Sequence, residues 1–218
     1  MNKRLRLAPE GYNIIVIAFL LFLFPIILSI YYDYKLLNLF SNTMILLFIG
    51  TCFFFRDPKR TVKCEDQDFL SPADGTILSV KEIKDSNIGE AKKISIFLSV
   101  LNVHRQWVPL NSKVVDTDYN QGTFFGAFLD KASEKNEQTS ILFIDGKNNN
   151  FKIKQIAGFV ARRIVNHMNP DAKVLKGENL GFIKFGSRVE IIVPKNFQVN
   201  VSKGMKVRGC KTIIGRFK

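Results

Sequence analysis

Cysteine and histidine are scarce in this 218-residue chain, which holds three of the first and two of the second. Cys52, Cys64 and Cys210 are odd in number and far apart, so neither a disulfide-stapled extracellular scaffold nor a paired-ligand zinc ribbon fits. A reduced, cytosol-facing compartment is the expectation. His104 and His167 lack a neighbouring Cys or Glu at ligand spacing, which disfavours a metal hydrolase; no metal is expected. Acidic side chains are also few, 19 against 32 Lys and Arg, for a formal charge of +13. Disorder is excluded by a hydrophobic content of 46%, and the length suits one or two domains.

The apolar residues gather near the N-terminus in two uncharged runs, 12–32 and 36–55. Each is about 20 residues long, enough to cross a bilayer core at about 1.5 Å per residue. Only Asp33, Tyr34 and Lys35 separate them, which predicts a helical hairpin with both ends on one side of a membrane and a kink at Pro25. A cleaved signal peptide would be shorter and would end in small residues, whereas these runs are bulky throughout. Lys3, Arg4 and Arg6 precede the hairpin, and Arg56, Lys59, Arg60 and Lys63 follow it, against Lys35 alone in the turn. That asymmetry predicts cytoplasmic ends at a cell membrane. Residues 1–55 read as a membrane anchor. The rest, 56–218, keeps 28 basic and 17 acidic side chains, a net of +11 that draws it to anionic phospholipid. It has no recognisable basic recognition helix or zinc-finger spacing, so nucleic acid is not an expected partner.

No long amphipathic helix is visible after residue 55. Segments 93–103, 140–144, 151–156, 182–193 and 211–214 are short and rich in Ile, Val and Phe, with Gly, Asn, Asp or Pro between them. Two stretches, KGENLG at 176–181 and KGMKVRG at 203–209, each place glycines around a tight turn. The predicted fold is mainly β: a compact β sandwich of hairpins preceded by a transmembrane helical hairpin.

The most informative segment is GFIKFGSRVEIIVP at 181–194. Alternation puts Ile183, Phe185, Ser187, Val189, Ile191 and Val193 on one face, and Lys184, Gly186, Arg188 and Glu190 on the other. Ser187 therefore shares the apolar face. A buried hydroxyl without a partner costs about 1–3 kcal/mol, so it needs an ordinary hydrogen bond or a chemical role. Gly186 before it favours the second, because attack of a serine hydroxyl on the preceding carbonyl needs a contorted backbone that glycine tolerates. The Gly-x-Ser-x-Gly frame of a serine esterase is absent.

Six separated blocks carry a family resemblance: FFRDPKR at 54–60, SPADG at 71–75, LSVLNVHRQWVP at 98–109, FLDKASEKNEQ at 128–138, GFVARRIV at 158–165 and FGSRVE at 185–190. In their order and spacing the chain resembles phosphatidylserine decarboxylase proenzymes of the short, membrane-anchored type. The resemblance implies that Ser187 attacks the Gly186 carbonyl to give an ester, and that elimination then frees a β chain of residues 1–186. The α chain, 187–218, would begin with a pyruvoyl group made from Ser187, the two chains staying together as a heterodimer. That ketone would condense with the amine of phosphatidylserine and accept the electrons released as CO2 departs, yielding phosphatidylethanolamine. The same headgroup on an ether-linked lipid would make the chain an archaetidylserine decarboxylase.

Asp74, by residue type a turn residue, matches the family position that supports self-cleavage. His104 matches the first histidine of a motif that often carries two, linked to substrate recognition and proton transfer; Trp107 stands at the second. The resemblance leaves the base for Ser187 open between His104 and Asp74. Arg162 and Arg163 suit a lipid phosphate or carboxylate, with a solvated pair as the plainer reading. Asp130-Lys131-Ala132 is similar to a lipoyl-carrier tripeptide and motivates a rival reading as a non-catalytic, membrane-tethered lipoyl-like module. GMKVRGCKT at 204–212 approaches a phosphate-binding loop but has Cys210 before its lysine and no strand-to-helix context, so nucleotide binding is rejected.

Overall fold

The computed structural model describes residues 6–122, 136–158, 163–184 and 187–217. The backbone contacts divide the chain into Met1–Lys59 and Arg60–Lys218. In the first unit, α1 (Tyr12–Tyr31) runs unbroken through Pro25, and α2 (Lys35–Phe54) returns beside it after a three-residue turn. The ring of Phe48 stacks on Phe22 at 4.7 Å and meets the edge of Phe19 at 5.8 Å. At the open end, the N–H of Ala8 donates to Phe55 O and that of Asp57 to Arg6 O, each at 2.7 Å. Both helices are long and apolar enough to cross a membrane, and most of their large side chains point away from the pair.

The second unit holds only strands and turns among its described residues. In chain order the strands are β1 (Phe69–Leu70), β2 (Gly75–Asp85), β3 (Gly89–Leu98), β4 (Arg105–Trp107), β5 (Ser112–Asn120), β6 (Gln138–Asp145) and β7 (Asn150–Ala157). There follow β8 (Ile164–Asn166), β9 (Lys173–Val174), β10 (Asn179–Ile183), β11 (Ser187–Pro194), β12 (Gln198–Val199), β13 (Lys206–Val207) and β14 (Ile213–Arg216). Eight of them form one antiparallel sheet in the order β13-β2-β3-β11-β7-β6-β5-β9. Two three-stranded sheets, β4-β10-β8 and β1-β14-β12, complete the unit. One apolar cluster joins all three: Ile96, Phe151 and Ile191 come from the large sheet, Leu180 and Ile183 from β10, Phe69 and Ile214 from β1 and β14. Phe69 meets the rings of Phe151 and Phe197 edge-on at 5.1 and 5.4 Å. Each such side chain, fully buried, contributes about 1.5–3 kcal/mol.

The fold is mainly β, as the strand-like segments predict. One segment divides: 182–193 is not a single strand, because β10 ends at Ile183 in a small sheet and β11 begins at Ser187 in the large one. β11 is a central strand. Its whole length opposes β3, from Ser187 facing Leu98 to Pro194 facing Ala91, while Ser187–Ile192 opposes Ala157–Lys152 of β7. The glycines of the two similar turns, Gly177 and Gly204, both adopt a φ of +88°, a left-handed conformation that glycine takes without strain.

Candidate active site

Ser187 is fully buried at the first position of β11, and its hydroxyl has no hydrogen-bond partner among the described residues. The face assigned by alternation holds, since Val189, Ile191 and Val193 are buried with it in the apolar cluster. The opposite face of β11 is not solvated. Arg188 and Glu190 are each 1% exposed and ion-paired, Nε to Oε1 at 3.0 Å, with Ser95 bonded to both. β3 and β7 flank β11, and a polar network takes the face that a two-sided strand would otherwise turn to water.

Two connections meet beside Ser187. One runs from Leu98, opposite Ser187, to His104; the other runs from Ile183 to Ser187. Their far ends are tied where the N–H of Ile183 donates to His104 O at 3.4 Å, so His104 and Ser187 belong to the same corner of the fold. The His104 ring is buried, tilted against Phe182 with centroids 6.4 Å apart, and its Nδ1 lies 3.0 Å from Asn102 O. A carbonyl only accepts, so Nδ1 carries the proton and a neutral His104 presents its lone pair at Nε2. Gln106 holds the His104 backbone by donating its side-chain amide to His104 O, and Gln155 of β7 donates to Gln106 in turn at 2.8 Å.

Asp74 lies just before β2, at the end of the sheet where Leu98 and Ser187 lie; β3 stands between β2 and β11. Two strand spacings make that separation about 10 Å across the sheet. Gly75 is required there, because a side chain would run into Phe97 O. The Asp74 carboxylate is bound on both oxygens: Arg60 reaches Oδ1 at 2.5 Å and Oδ2 at 2.6 Å, and the Gly209 N–H donates to Oδ1 at 2.8 Å. Arg60 also donates to Gly209 O at 2.6 Å and lies 4.4 Å above the Trp107 ring. Trp107 packs with Val103 and Cys210, and a side chain at Gly209 would meet its ring. Burial pushes the Cys210 thiol up to about 12 despite the nearby Arg60 charge.

The residues of the LSVLNVHRQWVP and SPADG blocks are thus joined through Arg60, which the charge pattern alone places among surface cations after the hairpin. Its side chain is only 7% exposed. The signal was present in FFRDPKR, but its partners lie 14 and 149 positions away. Asn136 and Glu137 were also missed. Asn136 donates to Ala157 O at 2.7 Å and Glu137 O accepts from the Ala157 N–H at 2.9 Å, on the residue that opposes Ser187. Arg163 is exposed, and its carbonyl accepts from the Lys184 N–H at 3.3 Å. Gly186, Arg162 and Lys131 lie outside the described residues.

The donor set matches a pyruvoyl precursor in one respect: a buried serine hydroxyl without a partner among the described residues shares a corner of the fold with a histidine whose Nδ1 is committed to a carbonyl. No cluster of three His, Cys, Asp or Glu capable of holding a metal occurs among the described residues.

A family model described as phosphatidylserine decarboxylase matches residues 47–215. A phosphatidylserine decarboxylase proenzyme of Carboxydothermus hydrogenoformans is 43% identical over 189 residues, 84% of this chain and 87% of the relative. One of Wolbachia sp. subsp. Brugia malayi is 39% identical over 211 residues, 94% of this chain and 88% of its own length. One of Rickettsia akari is 42% identical over 178 residues, 78% and 77% of the two chains. These matches show that the chain belongs to the phosphatidylserine decarboxylase family.

Proposed function

We propose that this chain decarboxylates phosphatidylserine to phosphatidylethanolamine at a cell membrane, after cutting itself between Gly186 and Ser187. The buried Ser187 hydroxyl, with no partner among the described residues, is the observation that carries the reading. In the precursor its Oγ attacks the Gly186 carbonyl and displaces the Ser187 nitrogen, converting the amide to an ester. Loss of the Ser187 α-proton then expels the Gly186 carboxylate and leaves a dehydroalanine, and hydrolysis of its enamine releases ammonia. The pyruvoyl group so made supplies a carbonyl for the substrate amine and a sink for the electrons of the broken C–C bond.

The chain's own residues supply the proton handling. His104, with Nδ1–H committed to Asn102 O, offers Nε2 as acceptor for the hydroxyl proton and as a proton donor once charged. Asp74 has both oxygens engaged by Arg60 and Gly209, so its part in self-cleavage is to hold the Trp107 side of the corner in place. Arg163, exposed beside the Lys184 backbone, and its neighbour Arg162 are assigned to the lipid phosphate or carboxylate. Residues 1–55 anchor the enzyme as two transmembrane helices, with residues 56–218 as the catalytic domain on the cytoplasmic side.

Intact mass of the purified protein tests the proposal directly. Two chains are expected, residues 1–186 and a 32-residue remainder (218 less 186), the second blocked to Edman degradation. A single full-length species with an unmodified Ser187 would overturn it, and a lipoyl adduct on Lys131 would establish the carrier reading instead.

A further inference from the structure

The connection from Leu98 to His104 is a built turn. The N–H of Asn102 donates to Ser99 O at 2.9 Å, while Asn102 Oδ1 accepts from both the N–H and the hydroxyl of Ser99, each at 2.9 Å. Its two central residues are Val100 and Leu101, 56% and 69% exposed. Central turn positions ordinarily go to Gly, Pro, Asn, Asp or Ser, which tolerate the backbone and cost nothing in water. Here a rigid, polar-stapled turn instead presents two large apolar side chains. Leu101 is the most exposed large apolar residue among those described in Arg60–Lys218, and Val100 and Leu101 are the only such pair adjacent in sequence.

Position decides what the pair is for. The turn starts one residue after Leu98, which opposes Ser187, and ends two residues before His104, so whatever holds its tip is also close to the site. Lys184 lies on the connection from Ile183 to Ser187, and Arg163 lies on the one that leads into β8, the two tied where the N–H of Lys184 bonds Arg163 O. An apolar tip in a corner of the fold that also carries cations matches the boundary between acyl chains and anionic headgroups, with the apolar part entering and the charges remaining at headgroup level. The net charge of +11 on residues 56–218 has the same sign preference.

We infer that the Ser99–Asn102 turn inserts Val100 and Leu101 into the surface of an anionic bilayer, so that a lipid headgroup passes from the membrane to Ser187 without crossing water. The inference rests on the decarboxylase reading for its substrate, and its test separates the two. Trp107 is the only tryptophan and is 5% exposed, so Leu101→Trp adds one reporter over a shielded background. With the full chain reconstituted in phosphatidylserine/phosphatidylcholine vesicles, acyl-brominated phosphatidylcholine is expected to quench the added emission by half or more. Quenching no greater than in the wild type would overturn the insertion, whether or not the protein is a decarboxylase. Val100→Ser/Leu101→Ser should lower the ratio of turnover on vesicles to turnover on short-chain monomeric phosphatidylserine at least about tenfold, a lower bound for two apolar side chains withdrawn from the bilayer surface. An equal fall on both substrates would place the pair in the chemistry of the site and overturn the membrane role. Loss of the decarboxylase reading would show separately, as a single chain releasing no CO2.

Discussion

Replacing Arg60 by methionine keeps the length and apolar stem of the side chain but removes its charge from a buried site. Arg60 and Asp74 side chains are 7% and 11% exposed, so the pair is shielded from the screening that weakens surface ion pairs. Breaking a buried pair from one side leaves an uncompensated charge and costs about 3–5 kcal/mol. Asp74 would keep only the Gly209 N–H, and Gly209 O would lose its donor. For a domain of this size, each kcal/mol corresponds to about 2–4 °C, giving a fall of about 6–20 °C in midpoint. The measurements are thermal and urea unfolding of the full chain in detergent, in an uncleaved Ser187→Ala background. Trp107 fluorescence follows both, the sole indole lying directly under the guanidinium. Arg60→Met/Asp74→Asn should recover at least about 2 kcal/mol relative to the sum of the single variants, because neither charge is then left alone. A loss below about 1 kcal/mol for Arg60→Met, or strict additivity, would refute the reasoning and class the pair with exposed ones.

Ser187→Ala should stay uncleaved and inactive by gel and mass, and should keep its fold, because the hydroxyl removed has no partner among the described residues. Decarboxylation by that variant would end the cofactor assignment. Asp74→Asn should slow processing while leaving turnover by the processed fraction nearly normal, whereas His104→Ala, where it processes, should trap phosphatidylserine with borohydride and release CO2 slowly. Full turnover in processed His104→Ala would remove its catalytic role, and a complete block of processing would make it the base for Ser187. Burial alone would raise the Asp85 carboxyl, but hydrogen bonds from Lys152 and the Asn87 N–H, with the Lys152 charge, outweigh it and hold it below its ordinary value. A depressed folded-state pKa means stability that is complete above about pH 4 and lost as the pH falls through the folded value. Lys152→Met should therefore flatten the acid limb of the stability profile, and an unchanged acid limb would contradict the pairing.

What the sequence shows plainly is whatever repeats along it. The helices reveal themselves by missing charge, and observed limits of Tyr12–Tyr31 and Lys35–Phe54 fall within one residue of the predicted runs. Alternation locates the core face of β11 for a similar reason. The break between β10 and β11 is harder, since Ile183 and Ser187 both continue an apolar period while their strands belong to different sheets. Segment 93–103 likewise reads as one strand, yet β3 stops at Leu98 because Asn102 closes a turn back onto Ser99. Buried charge leaves no periodic trace. Arg60 and the Arg188–Glu190 pair look solvated until partners from distant parts of the chain are brought against them.

The placement of Ser187 at the head of a central strand governs what a cut there could do to the molecule as a whole. A break before Ser187 gives the small chain β11 to β14, and three of these pair with the rest, β11 between β3 and β7, β13 along β2 and β14 against β1, while β12 pairs with β14. The two pieces then have no smaller interface to open first. Separation is the same event as unfolding. Once it happens, the order of the reaction changes: an uncut chain refolds by a first-order process, whereas the cut one must find its other half at a rate set by concentration. Such a cut would thereby make unfolding in a dilute membrane effectively a one-way step.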